Sequence, residues 1–304
     1  MKIIRILLLV QVLLGCEHSS PQSDSQSNLL EDTLSETVLQ FEIKPSITDP
    51  SITNADTPHL VIYNSNIKQG KLLLFMPGTN GIATKGPIAF FTTAIEQGYR
   101  VIGLSYINTP AISQICINDI LANCEDCAEK FRQYRIYGDN SFSLIDDKPQ
   151  DAIVNRLTKL LKYLVEYDKQ GNWGMYLEND APKWDQIALT GQSQGGGMAA
   201  FIAQKIMVAR VISFSGGWDY SVKGVIAKWY FNPSVTPADR WFGTYNVAEA
   251  NAEIIDATYR AMGILDNHIY ALNVSVPEGQ KAHTNGVYNT AYKNTWIEML
   301  GTGN

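Results

Sequence analysis

Short runs of apolar residues alternate along the chain with longer stretches in which apolar residues recur at helical spacing. The short runs are typical of buried strands, and they occur at 60–63, 71–76, 100–106, 186–190, 210–215, 240–245 and 268–274. The longer stretches predict helices at 88–97, 151–167, 198–205, 248–262 and 287–300. Strands that alternate with helices predict an α/β fold with a mostly parallel, doubly wound sheet. Such a sheet binds its ligands at the carboxyl ends of the strands.

The first 56 residues have a different pattern from the rest of the chain. A basic start and an apolar run at 6–14, which is too short to span a bilayer, end in the sequence LLGC at Cys16. This ending resembles the lipobox of bacterial lipoproteins, and the alternatives are an ordinary secretory signal or a buried start. We predict a lipoprotein signal peptide at 1–15, a lipidated Cys16, a flexible tether at 16–56 and a folded domain at 57–304. The lipid would anchor the protein to a membrane of the bacterial cell envelope, on a periplasmic or surface-exposed face.

The composition is that of a globular protein with a sizeable core. The 304 residues are 45% hydrophobic and 18% charged, which fits one large α/β domain. The formal net charge is -6 at pH 7, and the sequence has no run of Lys and Arg long enough to neutralise phosphates. These features argue against nucleic acid as a partner.

Besides Cys16, the chain contains Cys116, Cys124 and Cys127. In an exported protein two of these three are expected to form a disulfide, and the spacing alone does not choose the pair. A Cys-x-x-Cys pair can also bind zinc, but the chain has no second such pair and no histidine near this one. We therefore predict no metal site there.

The most informative motif is the pentapeptide G-x-S-x-G at 191–195, centred on Ser193. A predicted strand precedes it, and a helix rich in small residues follows it. This is the context of a nucleophile elbow, in which a strained turn presents the serine hydroxyl at the edge of the sheet. The turn leaves room only for small residues two positions before and after the serine. The other interpretation is a glycine-rich turn that packs the helix against the sheet, with Ser193 as a helix cap.

A serine nucleophile needs a general base and an acid that orients the base. In this architecture both follow the serine in the chain, and only two histidines do so, His268 and His283. His283 is preferred because it lies in a predicted loop after the last strand, where it could reach the serine hydroxyl. The acid is either Glu249 or Asp219, since each follows a predicted strand.

The tetrahedral intermediate also needs an oxyanion hole, which we expect two backbone N–H groups to form. One belongs to Gln194, the residue after the nucleophile. The other comes from the loop after the strand at 71–76, where glycines let the backbone approach a substrate. Thr79 is preferred in that loop, with Asn80 as its neighbour.

From about residue 57 onwards the chain resembles the α/β-hydrolase superfamily. The sequences GQSQGGG at 191–197 and VARVISFSG at 208–216 are similar to those of a poorly characterised branch of bacterial hydrolases. That branch typically carries GHSQGGGH, FSGPxD and a late AH. Gln192 and Met198 stand here where the branch has histidines, and Gly217 stands where it has proline. The departures leave the triad intact, and the resemblance supplies no substrate.

The resemblance implies a serine hydrolase, most directly a carboxylic ester hydrolase of class EC 3.1.1 that needs no metal or organic cofactor. Many members carry the acid four residues beyond a strand end, which favours Glu249 over Asp219. The branch also tends to pair cysteines at positions like Cys116 and Cys127. The substrate would be a small or polymeric ester. The alternatives are a serine peptidase or acyltransferase on the same fold, or a non-catalytic, surface-binding lipoprotein.

Overall fold

The computed structural model describes residues 37–67 and 69–303. Its strands are β1 (Val38–Ile43), β2 (His59–Asn64), β3 (Leu72–Met76), β4 (Arg100–Gly103), β5 (Leu177–Glu178), β6 (Ala181–Pro182), β7 (Ile187–Gln192), β8 (Arg210–Phe214), β9 (Tyr220–Val222), β10 (Val225–Ile226), β11 (Trp241–Asn246) and β12 (Ile269–Leu272). Its α-helices are α1 (Pro45–Thr48), α2 (Ile88–Glu96), α3 (Ile112–Ile115), α4 (Asn118–Asn123), α5 (Cys127–Tyr137), α6 (Ile153–Tyr167), α7 (Gln194–Lys205), α8 (Ala252–Ala261), α9 (Ala282–Tyr288) and α10 (Lys293–Leu300).

Eight of these strands form the central sheet, in the order β1-β2-β4-β3-β7-β8-β11-β12. β2 is antiparallel to both of its neighbours, and every other neighbouring pair is parallel. Along β3, Leu72 and Leu74 enter the apolar cluster on one face, whereas Leu73 and Phe75 enter the cluster on the other. Both faces are therefore covered, as a parallel sheet requires. The predicted α/β fold with a mostly parallel, doubly wound sheet is confirmed.

The fold begins earlier than the boundary that the sequence predicts at residue 57. β1 pairs with β2 along its whole length, and α1 follows it, so residues 38–48 belong to the folded domain and not to a tether. Three of the six β1 residues are exposed, as is typical of an edge strand, and this explains its weak apolar pattern. The predicted signal peptide, the lipidated Cys16 and the tether up to residue 36 lie outside the described residues.

The C-terminal helix predicted at 287–300 consists of two helices, α9 and α10. His283 belongs to α9, and not to the loop in which the sequence places it. Long-range contacts hold this short helix in place. The Trp296 indole N–H donates to the Gly286 carbonyl at 2.8 Å, and the buried Asn285 accepts from the side chain of Asn246 at 3.2 Å. Such tertiary contacts stabilise a short helix that the local sequence does not predict.

An insertion at 107–148 carries α3, α4 and α5. The Ile112 N–H of this insertion donates to the Gln194 side chain, just beyond the carboxyl end of β7. A disulfide joins Cys116 to Cys127 and closes this segment, which confirms the pairing that the resemblance implies. The thiol of Cys124 contacts Asp126 Oδ1 at 3.3 Å. In the part of the chain that the structure describes, no cluster of three or more His, Cys, Asp or Glu side chains could hold a metal ion. No helix within 37–67 or 69–303 is long and apolar enough to cross a membrane.

Candidate active site

Ser193 forms the turn between β7 and α7, with φ 55° and ψ -121°. A positive φ is uncommon for a residue with a side chain and persists only where the surroundings enforce it. The Ser193 N–H donates to the Phe214 carbonyl at 2.8 Å, and the Gly197 N–H donates to the Ser193 carbonyl at 3.1 Å. A Cβ at Gly195 would lie 2.0 Å from the Met76 carbonyl oxygen, so glycine is required for α7 to approach β3. This strained turn between a strand and a helix has the geometry that the sequence predicts for a nucleophile elbow.

A buried carboxylate holds the imidazole of His283. Glu249 Oε2 lies 2.6 Å from His283 Nδ1. The other carboxylate oxygen, Oε1, accepts hydrogen bonds from the Ser215 hydroxyl at 2.6 Å and from the Asn246 N–H at 2.8 Å. These contacts fix the carboxylate, which in turn favours a proton on Nδ1 and leaves Nε2 free to accept one.

His283 is also held through its main chain. Gln192, the last residue of β7, donates from Nε2 to the His283 carbonyl at 3.0 Å. The rings of His283 and Trp218 meet edge to face, with centroids 5.3 Å apart. The histidine is therefore tied to the strand that ends directly before Ser193. Within the described ranges, Ser193 Oγ forms no hydrogen bond with the His283 imidazole. A catalytic hydrogen bond need not be closed in the absence of substrate, since such bonds commonly tighten when substrate binds.

Asp219, the second candidate for the acid, has other partners. It accepts hydrogen bonds from Arg132 Nε at 2.7 Å and from Arg132 Nη2 at 2.8 Å. The indole N–H of Trp229 adds a third at 2.9 Å. Burial opposes the charge of Arg132, but the adjacent Asp219 carboxylate holds the pKa of Arg132 above its ordinary value. The structure therefore brings Glu249, and not Asp219, to His283.

A cavity of about 190 Å³ lies beside Ser193, and Thr79 and Gln194 line it. No acceptor within the described residues takes the backbone N–H of Thr79 or Gln194, so both are available to an oxyanion. Gln194 is the first residue of α7, where the helix dipole favours negative charge. The side chain of Asn80 faces the insertion instead, since its Oδ1 accepts from the Thr109 hydroxyl at 2.8 Å.

The other two histidines within the fold have structural surroundings. His59 is buried, and its Nδ1 accepts from the Ser105 N–H at 2.9 Å. Burial, with a smaller contribution from the charge of Arg156, lowers the pKa of His59 to about 3, so this imidazole stays neutral. His268 stacks on the Phe242 ring, with centroids 4.2 Å apart.

Sequence reasoning misses two contacts: the hydrogen bond from Ser215 to Glu249 and the ion pair of Arg132 with Asp219. Ser215 lies in the FSG motif that carries the resemblance, so a signal for it exists in the sequence. Arg132 lies in the insertion, on α5, and meets Asp219 across 87 residues of sequence. No local pattern predicts such a pair, because it depends on how the insertion packs on the sheet.

No protein-family model and no curated protein sequence matches this chain. Similar solved structures include a dienelactone hydrolase from Anabaena variabilis, at 12% identity over 86% of this chain and 98% of that one, with a TM-score of 0.44. An S-formylglutathione hydrolase from Staphylococcus aureus has 15% identity, coverage of 87% and 97%, and a TM-score of 0.45. A carboxyl esterase from Tuber melanosporum has 8% identity, coverage of 93% and 100%, and a TM-score of 0.47. None of these similarities indicates a function for this chain.

Proposed function

We propose that this chain, which has the α/β-hydrolase fold, is a serine hydrolase that cleaves carboxylic esters. One observation carries the proposal: Ser193 is held in a strained turn, while His283 is joined both to the adjacent Gln192 and to the buried Glu249. A strained serine and a histidine oriented by a carboxylate are what nucleophilic acyl transfer requires.

In the proposed reaction Ser193 Oγ attacks the ester carbonyl carbon while His283 Nε2 takes the hydroxyl proton. Glu249 stabilises the imidazolium that forms, through the 2.6 Å contact with Nδ1. The carbonyl oxygen becomes an oxyanion that the N–H groups of Thr79 and Gln194 bind, and the loss of one such donor typically costs about 10²–10³ in kcat. The imidazolium then protonates the leaving alcohol, and water activated by His283 hydrolyses the acyl-enzyme.

We expect the full chain to hydrolyse p-nitrophenyl esters and to prefer short acyl groups. In liquid water each molecule occupies roughly 30 Å³, so the cavity of about 190 Å³ has the volume of about six water molecules. Acyl groups of about four to six carbons fill that space, and decanoate exceeds it. The measurement is kcat/KM along the series from acetate to decanoate, together with labelling by a fluorophosphonate.

Each outcome of that experiment discriminates among functions. Turnover with an optimum at short chains supports the esterase. A fluorophosphonate label without turnover of any ester favours a peptidase or an acyltransferase on the same site, because those enzymes share the triad. Neither turnover nor label would contradict the catalytic proposal and favour a binding lipoprotein.

We also propose that the chain is anchored in the cell envelope through a lipidated Cys16. The support is the sequence alone: a basic start, an apolar run and LLGC at the cysteine. Replacement of Cys16 with serine is expected to move the protein from the membrane fraction to the supernatant, since the acyl chains supply the anchor. Ester hydrolysis by the released protein should be unchanged. A Cys16→Ser variant that still sediments with membranes would contradict the anchor.

A further inference from the structure

Within the described ranges, two serines have a left-handed backbone conformation, and both lie at the same edge of the sheet. Ser193 has φ 55° and follows β7, and Ser215 has φ 46° and follows the neighbouring strand β8. The proposed role as nucleophile explains the strain at Ser193. Ser215 is only 2% exposed, so its hydroxyl is not accessible to a substrate and cannot be a second nucleophile. Backbone strain at this residue therefore indicates a different role.

Hydrogen bonds of the main chain enforce the conformation of Ser215. Its N–H donates to the Thr244 carbonyl at 2.7 Å. The next N–H, that of Gly216, donates to the hydroxyl of the buried Tyr259 at 3.0 Å. A Cβ at Gly216 would lie 2.3 Å from Ser213 Oγ, so glycine is required directly after Ser215. The turn is therefore held by β11 and α8, and it does not depend on the Ser215 hydroxyl.

The Ser215 hydroxyl is directed at the carboxylate of Glu249. It donates to Oε1 at 2.6 Å, and the Asn246 N–H donates to the same oxygen at 2.8 Å. The other oxygen, Oε2, lies 2.6 Å from His283 Nδ1. Because two donors bind Oε1, the carboxylate cannot rotate without breaking one of these bonds, and Oε2 stays directed at the imidazole. Glycine would adopt φ 46° with less strain than Ser215, but it has no hydroxyl to supply this contact.

We propose that Ser215 is a positioning residue of the catalytic site, and that its strained backbone serves to direct the hydroxyl that orients the Glu249 carboxylate. The inference rests on the proposed ester hydrolysis and adds one residue to Ser193, His283 and Glu249. Ser215 does not touch the substrate, and its hydroxyl proton stays on its own oxygen. It acts when His283 takes the proton of Ser193, because the imidazolium is then stabilised by a carboxylate that cannot turn away.

The competing explanation is that the Ser215 hydroxyl only satisfies a buried carboxylate and so contributes to stability. The two explanations predict different results. Loss of a positioning residue lowers kcat more than it changes KM, and it alters the hydrogen bond at the His283 ring. Loss of a group that matters only for stability lowers the melting temperature and leaves the folded protein fully active.

The test is Ser215→Ala in the full chain, with two readouts. We expect kcat for p-nitrophenyl butanoate to fall about tenfold to 100-fold, the effect of a lost hydrogen bond to a charged group, while KM stays close to that of the wild type. The second readout needs no turnover. In protein with isotope-labelled histidine, NMR of the ring nitrogens reports which of them carries the proton of a neutral imidazole. The wild-type His283 should carry it on Nδ1, and in Ser215→Ala part of the population should have it on Nε2.

Ser215→Gly and Ser213→Ala separate the hydroxyl from the strain and from burial. Glycine relieves the strain but also lacks the hydroxyl, so we expect it to be more stable than Ser215→Ala and to lose kcat by a similar factor. Ser213 is buried on β8, and its Oγ contacts the Tyr259 hydroxyl at 3.3 Å. Ser213→Ala should therefore lower the melting temperature and leave kcat and the histidine ring unchanged. Ser215→Gly also keeps the test decisive if Ser215→Ala does not fold.

Each outcome supports or overturns the positioning role. A folded Ser215→Ala or Ser215→Gly protein with the kcat and ring nitrogens of the wild type overturns this inference alone, since turnover by the wild type would still support the esterase. An equal loss of kcat in Ser213→Ala also overturns it, because the effect would then follow stability. If the wild type cleaves no ester, the proposed function fails. The ring nitrogens of the wild type and of Ser215→Ala then decide by themselves whether Ser215 positions the pair of Glu249 and His283.

Discussion

Ser193→Ala is expected to lower kcat for p-nitrophenyl butanoate by about 10⁶, the loss seen when the nucleophile of a serine hydrolase is removed. Alanine has no group that can form the acyl-enzyme, so only binding and the oxyanion donors would still act on the substrate. The fold should be retained. Ser193 already has φ 55°, and alanine is no bulkier than serine in that turn.

The measurement is kcat in the wild type and the variant, with thermal unfolding and circular dichroism as checks of the fold. Ser234→Ala serves as the matched control. The Ser234 hydroxyl donates to the Thr236 carbonyl at 2.8 Å near the far end of α7, so this change should leave kcat unaltered. Full ester turnover by a folded Ser193→Ala protein would remove Ser193 from the mechanism.

Glu249→Gln is expected to lower kcat by about 10³–10⁴, because the amide imposes the wrong tautomer on His283. The Asn246 N–H and the Ser215 hydroxyl both approach Glu249 Oε1, and the main-chain N–H can only donate. The amide oxygen of glutamine will therefore take the Oε1 position and direct its NH₂ group at His283 Nδ1. That contact makes Nδ1 a hydrogen-bond acceptor and favours the tautomer that has its proton on Nε2. Nε2 then cannot accept the Ser193 proton.

Asp219→Asn provides the comparison for this second prediction. Asp219 pairs with Arg132 and not with the histidine, so its replacement should cost stability rather than the general base. We expect a lower melting temperature, and kcat for p-nitrophenyl butanoate much closer to the wild type than in Glu249→Gln. A larger loss of kcat in Asp219→Asn than in Glu249→Gln would identify Asp219 as the acid and contradict the assignment of Glu249.

The sequence predicts those parts of the site that depend on local structure. The elbow is one of them, since a strand, small residues around Ser193 and a helix are contiguous in the chain. The choice of acid is not local. Glu249 and Asp219 both follow strands, and Arg132, which engages Asp219, is contributed by a distant insertion. The sequence therefore leaves two acids open, and the resemblance alone favours Glu249.

The fold differs from the sequence prediction at β1 and at the helix that carries His283, and both differences have the same origin. β1 is an edge strand with exposed side chains, so its pattern does not separate it from the polar segment before it. The short helix that carries His283 is stabilised by contacts with Asn246 and Trp296 rather than by its own sequence. In both cases the deciding partners lie on other strands or helices, where sequence periodicity contains no information about them.

The insertion that carries α3, α4 and α5 separates the residues that shape the cavity from those proposed to carry out catalysis. Ser193, Glu249 and His283 all follow strands of the sheet, whereas Ile112, Cys116 and Arg132 of the cavity wall belong to the insertion. The disulfide and the bonds from the Gln194 side chain to the Ile112 N–H and the Asn108 carbonyl hold the insertion in register. Mutations within the insertion can therefore change which acyl groups the cavity binds while the residues of the proposed triad stay the same. Related chains would then differ in substrate preference and still share one catalytic mechanism.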